Sequence, residues 1–390
     1  MKVATLPQSA QSLVLLGGGH SHAIALRRLI QKPLPSGAID SVTLISEAPR
    51  APYSGMVPGH VAGVYGREDC FIDLQALCDR AGVALRVDRA VGLNLGDRQV
   101  QLASGETVGF RWLSVNLGST PLVPPGVQPL LGRSIIAAKP IQALLANWDA
   151  LLSALPQWGS RPLRLVVVGG GAGGVELALA AQRRLQPLVG DRLSITLIQR
   201  EAKLLPHLAP AVGDRVAQVL QAQGIELVLS QTITHATLIG TDTQLRAASG
   251  QLFWGDRVLW ATQAAAAPWL AATGLATDPQ GFIAVNRYLQ SCSHPQVFAA
   301  GDVATMVEQP RPKAGVFAVR QGRPLADNLR AAILGQPLKP FTAQKQFLSL
   351  INLANGQAIA TRGRWAFTGA WAWVWKDYLD RKFMRQFQQL

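Results

Sequence analysis

The stretch Leu13-Val14-Leu15-Leu16-Gly17-Gly18-Gly19-His20-Ser21-His22 decides the fold. Its apolar residues predict a buried parallel strand, its glycines predict a tight turn, and the residues that follow predict a helix. Gly17 and Gly19 occupy the first two glycine positions of a dinucleotide-binding fingerprint, where backbone N–H groups approach a pyrophosphate. His22 occupies the third position, which packs helix against strand. We expect it either to tilt the helix or to lean toward the pyrophosphate, with His20 and Ser21 beside it.

The same pattern recurs at residues 163–177, and its glycines Gly169 and Gly171 lie 152 positions after Gly17 and Gly19. Gly174 fills the third position of this second copy, so the fingerprint is complete. Two strand–glycine turn–helix units in one chain are hard to explain by packing alone. The sequence therefore predicts two bound dinucleotides.

Each glycine turn and its helix lead to a second strand, and the charged residues that follow these two strands have opposite signs. Glu47 follows the first such strand and can accept hydrogen bonds from an adenosine ribose, although a solvated loop glutamate is the simpler interpretation. Arg200 stands at the matching place in the second copy and can bind a 2′-phosphate. Both NADH and NADPH therefore remain candidates for the second site.

A third element is the apolar run Val297-Phe298-Ala299-Ala300, which ends in Gly301-Asp302. Asp302 at this turn can accept a ribityl hydroxyl. A helix N-terminus behind it would carry about +0.5 charge and offset a developing flavin anion. An aspartate that caps the helix is compatible with this role.

The ordered set of glycine turn, Gly118-Ser119-Thr120-Pro121, second glycine turn and Gly301-Asp302 resembles the two-dinucleotide-binding-domain flavoproteins. These include type II NADH dehydrogenases, sulfide:quinone reductases and disulfide reductases. Residues 17–26, 52–63 and 312–322 resemble a subgroup, the NADH-dehydrogenase-like domain fused to selenophosphate synthetases. The resemblance implies an α/β fold with two Rossmann-like domains. An FAD domain (1–125 and 271–340) would be interrupted by an NAD(P)H domain (126–270) and followed by a short C-terminal segment (341–390).

The resemblance also implies functional residues. The FAD contacts would be Gly17, Gly19, His20, Ser21, His22, Glu47, Gly118, Ser119, Gly301, Asp302 and Ala314. The NAD(P)H contacts would be Gly169, Gly171, Gly174 and Arg200. The catalytic candidates are Glu176, Lys313 and Tyr53, and Lys139 is a further residue on the cofactor side. For Glu176, an ordinary first-turn glutamate favoured by the helix dipole is an equally good interpretation.

Other patterns of the family are missing. The three cysteines, Cys70, Cys78 and Cys292, form neither a redox-active pair nor a metal site, so electrons should leave the flavin directly. Residues 315–320 align with a segment that lines the quinone site in type II NADH dehydrogenases, but both glutamines of that segment are replaced. Quinone is therefore not the sole acceptor to consider.

Composition restricts the partners and the compartment. The chain has 390 residues, 48% of them hydrophobic and 15% charged, with a net charge of +14. Its basic residues are dispersed and match no nucleic-acid-binding signature, so we expect no nucleic-acid partner. The cysteine usage and the absence of a signal-peptide pattern favour the cytoplasm.

The C-terminal segment is rich in tryptophan. Seven apolar residues recur at helical spacing: Trp371, Trp375, Tyr378, Leu379, Phe383, Phe387 and Leu390. Charged residues fill the positions between them, among them Lys376, Asp377, Asp380, Arg381, Lys382 and Arg385. Three interpretations remain open: peripheral contact with the cytoplasmic face of a membrane or with a quinone, packing on the FAD domain, and a homodimer interface.

These features together predict a flavoprotein that oxidises NAD(P)H by hydride transfer to FAD. We expect a quinone-type acceptor at the membrane face. A soluble sulfur or selenium compound is the alternative acceptor, and a redox-sensing flavoprotein is the alternative from another functional class.

Overall fold

A computed structural model describes residues 11–388. The elements of its first part are, in chain order, β1 (Ser12–Leu16), α1 (His20–Gln31), β2 (Ser41–Ser46), β3 (Arg50–Pro52), α2 (Val57–Val61), β4 (Phe71–Asp73), α3 (Leu74–Ala81), β5 (Ala84–Val87), β6 (Ala90–Asn94), β7 (Gln99–Leu102), β8 (Thr107–Gly109), β9 (Trp112–Val115) and β10 (Thr120–Pro121).

The middle part contains the second glycine turn. Its elements are β11 (Ile135–Ala137), α4 (Ile141–Ala154), β12 (Leu163–Val168), α5 (Ala172–Val189), β13 (Leu193–Ile198), α6 (Pro210–Ala222), β14 (Ile225–Val228), β15 (Ile233–Ile239), β16 (Asp242–Ala247), β17 (Leu252–Gly255), β18 (Arg257–Trp260) and β19 (Ala264–Ala265).

The last part returns to the first and adds the C-terminal segment. Its elements are β20 (Ile283–Val285), β21 (Val297–Ala299), β22 (Ala304–Met306), α7 (Gly315–Ile333), β23 (Ser349–Asn352), β24 (Ala358–Arg362), β25 (Trp365–Gly369) and α8 (Ala370–Gln388).

Two parallel sheets organise the molecule. The first has the strand order β21-β9-β1-β2-β5 and the second the order β11-β18-β12-β13-β14. In each sheet the strand that leads into a glycine turn is central, and the helix after the turn returns the chain to a parallel neighbour. The strand β21 from the last part pairs with β9, so both ends of the chain build the first sheet. The predicted α/β fold with two Rossmann-like units is confirmed.

The central strands are apolar because both faces of each sheet are covered. Leu13, Val14, Leu15 and Leu16 of β1 are at most 2% exposed. Continuous apolar runs of this kind are typical of parallel strands between layers of helices. The helices α1 and α7 pack together, and Gly322 of α7 faces Ile24 so closely that a Cβ there would lie 2.7 Å from its side chain.

The C-terminal segment packs on the body, but in an orientation that the apolar pattern does not predict. The residues of α8 that are buried are Ala372, Lys376, Asp380 and Met384. The aromatic residues predicted as a contact face divide: Phe383 and Phe387 pack against the core, while Trp371 and Tyr378 are about half exposed. Leu390, the last residue of the predicted face, lies outside the described residues. Lys376 and Asp380, two of the charged residues between the apolar positions, therefore point inward, because their side chains form hydrogen bonds there with Gly55 and Tyr53.

Within residues 11–388, no helix combines the length and the apolarity that crossing a bilayer requires.

Candidate functional site

A cavity of about 580 Å³ lies at the carboxyl ends of the strands of the first sheet. This is where ligands bind in open α/β sheets. The cavity gathers seven of the predicted FAD contacts: Gly17, Gly19, His20, Glu47, Gly118, Ser119 and Asp302. Glu47 follows β2, whereas Asp302 lies in the turn after β21, so the acidic groups come from opposite sides of the central strand.

The first glycine turn is shaped by a residue that the sequence interpretation missed. A Cβ on Gly17, whose φ is +100°, would lie 2.5 Å from the carbonyl oxygen of Asn116, and a Cβ on Gly19 would lie 2.2 Å from its Oδ1. Asn116 accepts a hydrogen bond from the Ser21 N–H (3.1 Å) and donates one from Nδ2 to the Ala300 carbonyl (2.6 Å). It therefore links the two turns that form the cavity. Its position directly after β9 was the available signal.

Ser21 and His22, which the sequence predicts as cofactor contacts, do not line the cavity. The Ser21 hydroxyl donates to the Ala318 carbonyl on α7 (2.7 Å). His22 is fully buried, and its Nδ1 lies 2.6 Å from the Gly17 carbonyl oxygen. A carbonyl can only accept, so Nδ1 carries the proton and Nε2 accepts from the Ser114 hydroxyl at 2.8 Å. The imidazole therefore braces helix against strand and does not lean toward the pyrophosphate site.

His20, the first residue of α1, lines the cavity. Burial lowers the pKa of its imidazole, so the ring is neutral at pH 7. Its Nε2 is buried without a hydrogen-bond partner in the structure. The ring packs edge-on against Tyr53, with 5.4 Å between the centroids. Because a buried polar atom without a partner costs free energy, this nitrogen indicates a ligand in the cavity.

Asp302, which also lines the cavity, is paired with Lys139. The Lys139 ammonium lies 2.6 Å from Asp302 Oδ2 and 3.1 Å from the Ser119 hydroxyl. Burial, the largest single influence, would raise the pKa of Asp302, but the charge and hydrogen bond of Lys139 together with the hydrogen bond from Ser119 outweigh it and the pKa is lowered. Asp302 is therefore an ionised acceptor that faces the cavity.

These residues fit FAD. The cavity has an acidic end at Glu47, a glycine turn with a helix N-terminus in the middle, an unpartnered imidazole nitrogen, and an ionised aspartate at the far end. With FAD bound, Glu47 would accept from the adenosine ribose, the turn would face the pyrophosphate, and Asp302 would accept from the ribityl chain.

Lys313, Ala314 and Gly301 lie beside this cavity and not in its wall. The Lys313 ammonium donates to the Ala304 carbonyl and the Thr305 hydroxyl, both at 2.7 Å. Burial lowers its pKa to about 8. Ala314 precedes the first residue of α7, and the Gly301 N–H donates to Gln321 Oε1 at 2.7 Å. Lys313 therefore holds the turn that carries Asp302, and its proposed catalytic role has no geometric support here.

The second glycine turn repeats the first with a closer helix. Gly169 has a φ of +121°, and a Cβ on it would lie 2.3 Å from the Ala261 carbonyl oxygen. A Cβ on Gly174 would lie 1.9 Å from the Gly169 carbonyl oxygen, whereas a Cβ on Gly171 would meet open space. The third glycine thus lets α5 approach the turn, and Gly171 leaves room where a pyrophosphate would approach.

Glu176, in the first turns of α5, lies against the C-terminal segment. Its Oε1 accepts a hydrogen bond from the Asn352 N–H at 2.8 Å. Burial raises its pKa to about 7, although the positive charge of Lys376 on α8 opposes this. Glu176 can therefore gain or lose a proton near neutral pH.

Lys376 connects Glu176 to Tyr53 through a buried polar cluster. The Lys376 ammonium donates to the Gly55 carbonyl (2.7 Å) and lies 2.6 Å from Asp380 Oδ2. The Tyr53 hydroxyl donates to the other oxygen, Asp380 Oδ1, at 3.0 Å. Burial alone would lower the pKa of Lys376, but the carboxylates of Asp380 and Glu176 outweigh it and the pKa is raised. Tyr53 is therefore next to His20 and at one end of the cluster, while Lys376 and Asp380 had no sequence signal.

The three cysteines are free. Cys70 and Cys78 are buried, and burial raises the pKa of each thiol to about 12. Thiols in this state are protonated and poor nucleophiles.

Comparisons with known proteins agree with this geometry. The model of the pyridine nucleotide-disulphide oxidoreductase family matches residues 11–322. Among curated proteins, demethylphylloquinone reductase NdbB of Synechocystis sp. is 26% identical over 84% of this chain and 81% of its own length. Ferroptosis suppressor protein 1 of Xenopus tropicalis is 27% identical over 65% of each chain, so the match spans just under two thirds of that relative.

Among solved structures, the sulfide:quinone oxidoreductase of Aquifex aeolicus superposes with a TM-score of 0.77, at 17% identity, over 97% of this chain and 92% of its own. This likeness extends the shared fold to the C-terminal segment, beyond the residues that the family model matches. The expected cofactors of the fold, FAD and a nicotinamide dinucleotide, are confirmed by the family model and by neighbours such as an NADH oxidase bound to NADH. The chain belongs to the pyridine nucleotide-disulphide oxidoreductase family.

Proposed function

We propose that the protein is an NAD(P)H:quinone oxidoreductase that works without a redox disulfide. The overall reaction is NAD(P)H + H⁺ + quinone → NAD(P)⁺ + quinol, which balances two electrons and two hydrogens. Bound FAD supplies the redox chemistry, since it can accept a hydride and pass on two electrons. The residues of the chain bind both nucleotides and provide protons.

The polar cluster of Glu176, Lys376, Asp380 and Tyr53 carries this proposal. Reduction of a quinone to a quinol requires protons at the acceptor, and a group whose pKa is near the working pH delivers them best. Glu176 has a pKa of about 7, and the Lys376 ammonium, whose pKa is raised, stays charged and stabilises the carboxylate that remains after Glu176 gives up its proton. The cluster lies where α5 of the nucleotide unit meets α8, next to the wall of the FAD cavity.

Two further observations support the proposal. The buried, protonated thiols of Cys70 and Cys78 are unsuited to a dithiol relay. NdbB of Synechocystis sp. is a demethylphylloquinone reductase, and that protein aligns with 84% of this chain. The replaced glutamines at residues 315–320 mean that the quinone contacts must differ from those of type II NADH dehydrogenases.

The test is an anaerobic titration of the purified yellow protein with NADPH and NADH, followed by reoxidation with a short-chain naphthoquinone. We expect flavin bleaching by the dinucleotide and rapid recovery of the absorbance with the quinone. In Glu176→Gln and Lys376→Met, reoxidation by quinone should slow by about tenfold or more, because a general acid contributes about 10²-fold or more. Flavin reduction should stay within a few-fold of the wild type.

Glu308→Gln and Lys339→Met are matched controls, because both side chains lie on exposed residues far along the chain from the cluster. Equal quinone rates in all variants would contradict the role of the cluster. Reoxidation by a disulfide or a selenium compound, but not by quinone, would establish the soluble acceptor instead. The absence of turnover with any acceptor would favour a redox-sensing flavoprotein.

We also propose that the exposed face of the C-terminal segment contacts a membrane surface. Trp365, Phe367 and Trp371 are 71%, 52% and 51% exposed, and with Trp375 they line an open cavity of about 460 Å³ beside Arg362. Aromatic rings next to basic side chains suit the boundary of an anionic membrane.

Cosedimentation with phosphatidylcholine vesicles, with and without phosphatidylglycerol, tests this contact. The Trp371→Ser/Trp375→Ser double variant should lose binding, while Trp254→Ser, which removes a 39% exposed tryptophan from β17, should retain it. Unchanged binding of the double variant would contradict the proposal. A wild-type dimer that the double variant cannot form would assign this face to a second copy of the chain.

A further inference from the structure

The two nucleotide units differ most where the second strand of each ends. We propose that the donor is NADPH, with its 2′-phosphate held by Arg200, and that NADH is a poor substrate. This inference rests on the proposed function and specifies its donor. In the first unit Glu47 lines the nucleotide cavity, whereas Gln199 and Arg200 follow the corresponding strand β13.

Gln199 cannot replace the missing carboxylate. Its side chain is turned into the structure, and the residue is 6% exposed. Its Oε1 accepts hydrogen bonds from the N–H groups of Gly170 (3.1 Å) and Arg200 (3.2 Å), while Nε2 donates to the Lys203 carbonyl (3.3 Å). Its polar atoms are therefore engaged in holding the glycine turn against the loop. An acceptor for the free 2′- and 3′-hydroxyls of NADH is missing at this position.

Arg200 is prepared for a phosphate. Its side chain is 47% exposed, and its Nε donates to Glu201 Oε1 at 3.0 Å. Among the hydrogen bonds of residues 11–388, the two terminal guanidinium nitrogens have no partner. One neighbouring carboxylate thus fixes the Nε edge, and the terminal nitrogens remain for a bidentate contact with phosphate oxygens.

The surrounding charge also favours a phosphate. The exposed loop after β13 carries Arg200 and Lys203 against the single carboxylate Glu201. If Glu201 instead accepted the ribose hydroxyls, it would have to release Arg200, and the site would select NADH. The two possibilities therefore predict opposite preferences for the 2′-position.

The experiment measures nucleotide binding separately from turnover. Equilibrium binding of 2′,5′-ADP and of 5′-AMP to the FAD-loaded protein is compared in wild type, Arg200→Ala, Arg200→Lys and Arg215→Ala. Arg215 is an exposed arginine on α6 of the same unit and is the matched control. The ratio of kcat/KM for NADPH and NADH is measured on the same samples.

We expect the wild type to prefer 2′,5′-ADP and NADPH, and Arg200→Ala to lose about 10- to 100-fold for the phosphorylated ligands, the value of a charge-assisted bidentate contact. Arg200→Lys should recover part of this, and NADH and Arg215→Ala should change little. Preference for NADH, or equal losses for both ligands in Arg200→Ala, would overturn the inference. If the protein binds 2′,5′-ADP selectively but reduces no acceptor, the proposed function fails while this inference stands.

Discussion

The two nucleotide units place the same elements around their glycine turns, but the helix contacts the turn in a different way in each unit. In the second unit Gly174 lets α5 approach until a Cβ would lie 1.9 Å from the Gly169 carbonyl oxygen. In the first unit His22 occupies that place and donates to the Gly17 carbonyl at 2.6 Å. The third fingerprint position therefore fixes the distance between helix and turn, by close contact or by a hydrogen-bonded brace. We expect the choice of nucleotide to depend instead on the residues that follow the second strand of each unit, Glu47 and Arg200.

The largest effect should come from Gly174→Ala. The added methyl group would collide with backbone, so α5 must move away from the turn, and we expect flavin reduction by NAD(P)H to fall by about 100-fold or more, as misplacement of a bound reactant by about 1 Å does. FAD should remain bound, because the first turn is untouched. Stopped-flow reduction and the ratio of flavin to protein measure the two effects.

Gly173→Ala is the control for this change. A Cβ on Gly173 meets open space, and the first unit carries Ser21 at the matching place. If Gly174→Ala and Gly173→Ala behave alike, close approach of the helix is not what the third glycine provides.

A smaller, purely structural effect is expected for His22→Gly. The variant should still bind FAD, because the imidazole does not reach the cavity, but it should lose roughly 2–5 kcal/mol of stability through the cavity that it leaves. Urea unfolding and flavin content measure these quantities. His22→Asn keeps a polar group of smaller size if the glycine variant fails to fold, and loss of FAD at unchanged stability would make His22 a ligand.

His22 also makes stability depend on pH. Burial lowers its pKa from 6.5 to about 4, so the unfolded chain binds a proton in this range that the folded chain excludes. Its contribution is therefore complete above pH 6.5 and is lost as the pH falls toward 4, by roughly 3 kcal/mol in total. Unfolding free energies at several pH values should show this slope in the wild type and in His294→Ala, an exposed-histidine control, and a shallower slope in His22→Gly, where the buried His20 still contributes.

The smallest effect concerns the strand ends. Glu47→Gln should weaken FAD binding only about 3- to 10-fold, because one hydrogen bond to a charged acceptor is replaced by a neutral one. The preference between NADPH and NADH should not change, and Glu226→Gln on β14 is the control. A shift of the dinucleotide preference in Glu47→Gln would mean that the two sites are not independent.

The sequence predicts well what depends on neighbouring residues. The strand before each glycine turn and the helix after it follow from local apolar patterns, and the structure has them as β1 with α1 and β12 with α5. The structure brings Glu47, Ser119 and Asp302 together in the wall of one cavity. Their roles in binding FAD stay predictions.

What the sequence cannot predict depends on distant partners. Ser21 and His22 look like ligands in the sequence because they adjoin the turn. In the structure the Ser21 hydroxyl donates to the Ala318 carbonyl, and His22 Nε2 accepts from the Ser114 hydroxyl. Lys376 and Asp380 belong to the polar positions of α8, and they are buried because Gly55 and Tyr53 satisfy them. Gly55 and Tyr53 are more than 300 residues away from Lys376 and Asp380 in the chain, so no local pattern reveals these contacts.

The contact between Tyr53 and α8 has a consequence for biosynthesis. Tyr53 stacks on Phe383 with 4.5 Å between ring centroids, so residues made early receive their covering from residues made some 330 positions later. Because chains emerge and fold from the N-terminus, the ring of Tyr53 has no stacking partner until α8 has been synthesised. Packing around this early residue is therefore completed last, and a chain that ends before α8 would leave Tyr53 without both Phe383 and the Asp380 acceptor.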